Sequence, residues 1–237
     1  LKLVFIFFDV GIIIVLHKIS TKSNYALLYA VNPISPLVSS IHGQFDSIPL
    51  FFFFIKLLLH IHKHKNVAGL LLASIAILVK PWPALFMVPL LLKVKGRLLP
   101  IIFIFPLLSV IVYKNVFRSN YIEIVKPIFL YRSTFGKSGL FYLLSLVPIT
   151  INRYYKIIIS LFSVFVLALF SYVQKRRTIY VHIVQTIMFF YMIIPTFAIQ
   201  YISWVIPFLL IVKPKKWILY VITASVYLFL NYFIYYL

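Results

Sequence analysis

The sequence predicts an all-α protein: a polytopic transmembrane helical bundle of about 9–10 spans, some of them broken or re-entrant. Three observations carry that expectation. Of the 237 residues, 64% are apolar and only 11% charged, where a soluble domain is near half apolar and about a quarter charged. Apolar runs bounded by basic or turn-rich stretches recur along the whole chain. The basic residues, which set a net charge of +20, fall mostly between those runs, so anionic lipid headgroups are their natural neighbours and nucleic acid is not.

In order, the runs occupy residues 3–16, 25–41, 48–60, 67–79, 83–92, 98–113, 157–173, 179–194, 201–212 and 217–237. The run 83–92 holds Pro89 and reads as half of a broken or re-entrant helix. Residues 139–151 form a further apolar piece, interfacial or re-entrant, inside a long connection over 114–156. The chain reads as a single transmembrane domain. It opens on Leu1 inside an apolar run, with no leader ahead of it, which suggests a fragment lacking its upstream part. Cysteine is absent, which removes disulfides, thiolate chemistry and Cys-ligated metals.

Lysine and arginine set the orientation. Alternate connections carry Lys18 and Lys22; Lys63 and Lys65; Lys93, Lys95 and Arg97; Lys175, Arg176 and Arg177; and Lys213, Lys215 and Lys216. These are expected on the cytoplasmic side. The outer side then receives His42–Asp46, Lys80–Pro83, the 114–156 connection and residues 195–201. The long connection defies the charge rule, with Lys114, Arg118, Lys126, Arg132, Lys137, Arg153 and Lys156 against one Glu123. Either a span is miscounted, or these cations meet concentrated negative charge such as a lipid-linked phosphate or diphosphate.

Only three acids exist, Asp9, Asp46 and Glu123. Asp46 follows NPISPLVSSIHGQF at the mouth of a greasy run. An ionisable group there has a partner or a task, or it simply caps a helix. Asp9, in FIFFDVG, is either paired, with Lys2 the nearest candidate, or part of a site. Lys80, before Pro-Trp-Pro, either snorkels beside an aromatic anchor or holds a phosphate. Gln200, Tyr201 and Trp204 form either an aromatic belt or a sugar-binding mouth, with Trp204 stacking on the sugar. The FGKSG at 135–139 is no phosphate loop, because the required first Gly is Tyr131. His60, His62 and His64 read as a headgroup-facing loop rather than a metal site. His182 and Gln185 read as inter-helix hydrogen-bonding groups. No metal motif is visible. The remaining outer cluster of acid, amide, imidazole and amine suits general-base chemistry beside phosphate-binding cations.

The stretches NP…HGQFDSIPLFFFFIKLLL, GLLLASIAILVKPWPALFMVPLLL and PTFAIQYISWVIPFLLI resemble polytopic glycosyltransferases of the GT-C superfamily. The nearest likeness is to prokaryotic mannosyltransferase-like members bearing NP…WGQFDSL and a downstream KP…P stretch. The opening KLVFIFFDVGIIIVL is also similar to the segment preceding those motifs. The likeness spans most of the chain in order. It is fairly specific for the superfamily and poor for donor or acceptor.

The resemblance implies a GT-C-like fold in the plasma membrane of a prokaryote, with the active site facing outside. It implies transfer of a hexose, mannose-like, from a polyprenyl-phosphate-linked sugar to a lipid-linked glycan, glycolipid or protein. A carboxylate would activate the acceptor and cations would stabilise the departing phosphate. Asp46 and Gln44 match the QFD positions, Lys80 the KP position, and Gln200 with Tyr201 the late QY. His42 stands where Trp is common. The family carries its catalytic acid in a first outer loop, and this chain is expected to begin beyond that loop. The expected catalytic base therefore lies upstream, and Asp46 acts as base or positioning residue, with Asp9 a second catalytic candidate. His42, Gln44, Lys80, Arg132, Lys137, Gln200, Tyr201 and Trp204 are the expected substrate-binding set. No cofactor is specified; a divalent metal and the oligomeric state stay open. A transporter or flippase for lipid-linked sugars, or a non-catalytic membrane subunit, are the rival readings.

Overall fold

The computed structural model describes residues 2–19, 24–61, 66–92, 96–124, 153–194 and 197–236. All regular structure among them is helical, as expected for the all-α class. The elements are α1 (Lys2–Ile19), α2 (Tyr25–Ala30), α3 (Ser47–Ile61), α4 (Asn66–Val79), α5 (Pro83–Leu91), α6 (Ile104–Phe117), α7 (Arg153–Val173), α8 (Ile179–Ile193), α9 (Ile206–Val212) and α10 (Trp217–Tyr236). A 3₁₀ stretch, Gly96–Phe103, leads into α6 and another, Ile199–Val205, leads into α9.

The apolar run 25–41 is expected as one span, but the structure breaks it. After α2 the chain turns at Val31–Pro33, resumes as Ile34–Pro36 and closes with a π-turn, Leu37–Ile41. Pro33 and Pro36 supply no N–H to a continuous helix. Buried Asn32 bonds the Ile34 N–H through its side-chain oxygen at 2.9 Å, stabilising the turn that replaces it.

Close packing of α1 on α3 depends on Gly11. A Cβ there would sit 2.6 Å from a ring carbon of Phe51. Gly69 does the same for α3 on α4, where the Lys56 stem fills the space a side chain would need. Ser74 of α4 accepts the Phe105 N–H at 2.9 Å, satisfying one of the free donors at the start of α6. Between α7 and α8, the Ser171 hydroxyl meets His182 Nε2 at 2.8 Å, an inter-helix bond of the expected kind. Gln185 forms no such bond through its buried Oε1 among the described residues.

The core lies where α3, α5, α8 and α9 meet. Phe53 and Phe54 pack on Phe208, and Phe86 packs on Trp204 and Phe190. The nine-residue α5 starts on Pro83, the favoured first helical position, and contains Pro89. It is too short to cross a bilayer, which takes about 20 residues. Two described helical segments are long and apolar enough to do so, Leu98–Phe117 and Trp217–Ile234. Only 6% and 17% of their apolar windows are buried, so both turn greasy faces outward. The 18-residue α1 has comparable length but carries Lys2, Asp9 and Lys18.

Candidate functional site

Three sequence-distant segments meet at Asp46. Its Oδ1 accepts the Lys80 ammonium at 2.9 Å, the Trp82 indole N–H at 3.1 Å and the Trp204 indole N–H at 3.1 Å. Asp46 is 1% exposed, and Oδ2 is buried with no hydrogen-bond partner among the described residues. Asp46 is therefore no helix cap: its side chain turns away from α3 and into the junction of α5 with the 199–205 stretch. The two indoles stack on each other at 4.1 Å and 12°, which places both N–H groups on one oxygen.

The loop before Asp46 is shaped by the π-turn. The N–H of His42 closes on the Leu37 carbonyl and that of Gln44 on the Val38 carbonyl, both at 3.0 Å. The second closure is one residue wider than the usual glycine-ended helix stop. Gly43 makes it at φ 78°, a left-handed conformation costly for a residue with a Cβ. Lys2 donates to the Ile41 carbonyl at 3.1 Å. This leaves Gln44 with its Oε1 3.4 Å from Lys80 Nζ, and Phe45 with its ring 4.2 Å beneath the same ammonium. The ammonium is thus held between carboxylate, amide oxygen and ring face, and the side chain is 16% exposed. In the described residues it pairs with Asp46 rather than standing free for a phosphate.

No family model, curated protein or solved structure matches this chain. What the site does must be argued from its own chemistry.

Of the residues expected from the sequence, Gln44, Asp46, Lys80 and Trp204 come together directly. Tyr201 joins them by stacking on Trp204 at 4.0 Å. With Trp82 on one face and Tyr201 on the other, Trp204 is 1% exposed and has no ring face left for a sugar. The expectation that it stacks on substrate is corrected: it is an interior hydrogen-bond donor. Gln200 is buried beside it, its carbonyl accepting the Ser203 hydroxyl. His42, half-buried, stacks on Tyr232 of α10 at 4.7 Å. Burial is the main cause holding the His42 pKa below its ordinary value; Asp46 opposes it, and Lys80 and Lys2 reinforce it. Asp9 stands apart, bonded to Tyr29 and Ser35 rather than paired with Lys2. Arg132 and Lys137, the FGKSG stretch, residues 139–151 and the chain at His62 and His64 lie outside the described residues, as does the side chain of His60.

Sequence reading missed Trp82 and Phe45 as site residues. Trp82 was legible, since it stands two residues after Lys80 in the same KPWP. Phe45 was not, because one aromatic among 24 Phe carries no signal. No three His, Asp or Glu side chains converge among the described residues.

Proposed function

We propose that this chain is a polytopic membrane glycosyltransferase of the GT-C type. In this reading it moves a hexose from a polyprenyl-phosphate sugar to a lipid-linked glycan, glycolipid or protein on the outer face of a prokaryotic plasma membrane. One observation carries the proposal. The QFD, KP and late QYISW segments, which bear the likeness to those enzymes, converge on Asp46 through Lys80, Trp82 and Trp204. Residues merely scattered through an unrelated bundle have no reason to meet on one buried carboxylate.

The outward apolar faces of α6, α7 and α10 support the membrane setting. Phe117, Phe162, Phe165, Phe229 and Ile234 are all more than half exposed; in water such faces drive association, and in lipid they are solvated. Lys213 lies over the Tyr25 ring at 5.0 Å, which is in keeping with the expectation that the connections beside them share one side.

In this account Asp46 is a positioning residue. Its Oδ1 is taken up by the Lys80 ammonium and two indole N–H groups, and the residue is 1% exposed. The neutral Asp46–Lys80 pair fixes the loop, and the Gln44 amide N–H₂, directed by the ammonium on its carbonyl oxygen, is the hydrogen-bond donor offered at the mouth. The test is transfer itself. Membranes from cells expressing the full natural polypeptide are given radiolabelled polyprenyl-phosphate hexose, and the products are extracted. A new glycoside on an acceptor is the expected result. Label that changes leaflet but stays on its carrier supports the flippase reading and overturns this one.

A further inference from the structure

Two charged side chains are buried among the described residues, Asp46 and Lys56. They do not compensate each other. Ten positions at 1.5 Å each set them about 15 Å apart along α3, and Asp46 is already held by Lys80. Lys56 is 1% exposed. Among the described residues no carboxylate, carbonyl or aromatic ring receives its ammonium, and burial is the single influence acting on it. A cation withdrawn from water in this way takes a counter-charge or gives up its proton.

The place of the ammonium decides between these. The Lys56 stem crosses from α3 onto α4 at Gly69, where a Cβ would lie 2.8 Å from Cδ and 3.5 Å from Nζ. Gly69 is the fourth residue of the 14-residue α4, so Nζ lies beside the first turn of that helix. The first N–H groups of a helix have no carbonyl partner within it, and the helix dipole is positive at that end. No acidic residue stands in this turn, and Val67 within it is half exposed. The carbonyls freed at the end of α3 belong to residues 58–61, beyond Lys56. An ammonium and a positive helix end therefore meet with no described negative group between them. Each repels the other, and both favour an anion.

We propose that the Lys56 ammonium and the first turn of α4 together hold one phosphoryl anion. A phosphoryl group presents several acceptor oxygens, so it takes main-chain N–H groups and an ammonium at once. The connection between α3 and α4 is among those expected on the cytoplasmic side, where helix ends stand level with lipid headgroups. The phosphoryl group therefore comes from an anionic lipid or from free phosphate. The site lies toward the other end of α3 from Asp46 and is independent of sugar transfer.

The experiment has two arms on the purified full polypeptide. In detergent, uptake of radioactive inorganic phosphate is measured by equilibrium dialysis, with thermal unfolding in phosphate and in chloride at one ionic strength. In nanodiscs, unfolding is compared between phosphatidylcholine alone and phosphatidylcholine with phosphatidylglycerol, and retained lipid is counted by native mass spectrometry. One phosphate per chain, with a midpoint raised over chloride, supports the site with free phosphate as its source. One retained phosphatidylglycerol that free phosphate does not displace supports it with a headgroup as its source. In either case Lys56→Met weakens binding about tenfold or more, and Lys175→Gln, at an exposed lysine, leaves it intact. Should Lys56→Met fail to fold, Lys56→Gln, which keeps a polar end without the charge, decides. Binding of neither probe, parental affinity in the Lys56 variants, or equal responses to phosphate and chloride overturns the proposal. A midpoint that follows pH and neither anion overturns it in favour of an unprotonated Lys56.

Discussion

At the scale of single residues the site rests on one ion pair. Removing one partner leaves the other charge buried, which costs about 3–5 kcal/mol. Lys80→Met is therefore expected to destabilise the protein by about that amount, read by thermal or denaturant unfolding in detergent. Combining it with Asp46→Asn should return part of the loss, because no charge is then stranded. A strictly additive double variant contradicts the coupling. His42 gives a pH signature. Its folded pKa lies below the unfolded value of 6.5, so the unfolded chain binds the proton more readily. Its contribution to stability is complete above 6.5 and declines as pH falls below that value. His42→Phe, which keeps a ring against Tyr232, should flatten that part of the stability–pH curve; an unchanged slope assigns it to other groups. Asp46 and Lys80 were legible in the sequence because charge is rare in so apolar a chain. Their mutual pairing was not legible, since 34 residues separate them and only the fold brings them together.

At the scale of elements, glycines and prolines set the geometry. Gly11→Ala pushes a methyl into the Phe51 ring, 2.6 Å from the Cβ position. It should cost about 1–3 kcal/mol, measured as a lowered unfolding midpoint; a neutral result means α1 and α3 pack less closely than described. Helix positions followed from apolar runs, and α5 from its flanking prolines. The break at Val31–Pro33 was not anticipated, although Asn-Pro followed by Ser-Pro announced it. Apolar patterning around those residues outweighed the turn signal, and the missing N–H groups are what the backbone obeyed. The π-turn after it was not read from the sequence, although Gly43, whose φ of 78° lets the backbone close there, was its one local signal.

At the scale of the molecule, the all-helical class was legible from composition alone, because few other architectures place so much apolar surface outward. The number of crossings was not, since α3, α4 and α8 have only 14 or 15 residues and length is what a hydropathy reading relies on. The central claim is that the Asp46 junction offers Gln44 to a sugar substrate at one face of the membrane. The most direct measurement is hexose transfer by Gln44→Ala against the parent protein, in membranes matched for folded protein by thermal stability. Loss of the positioning amide predicts turnover lower by about a hundredfold with an unchanged unfolding midpoint. Turnover equal to the parent would contradict the account and leave the junction a purely structural tie.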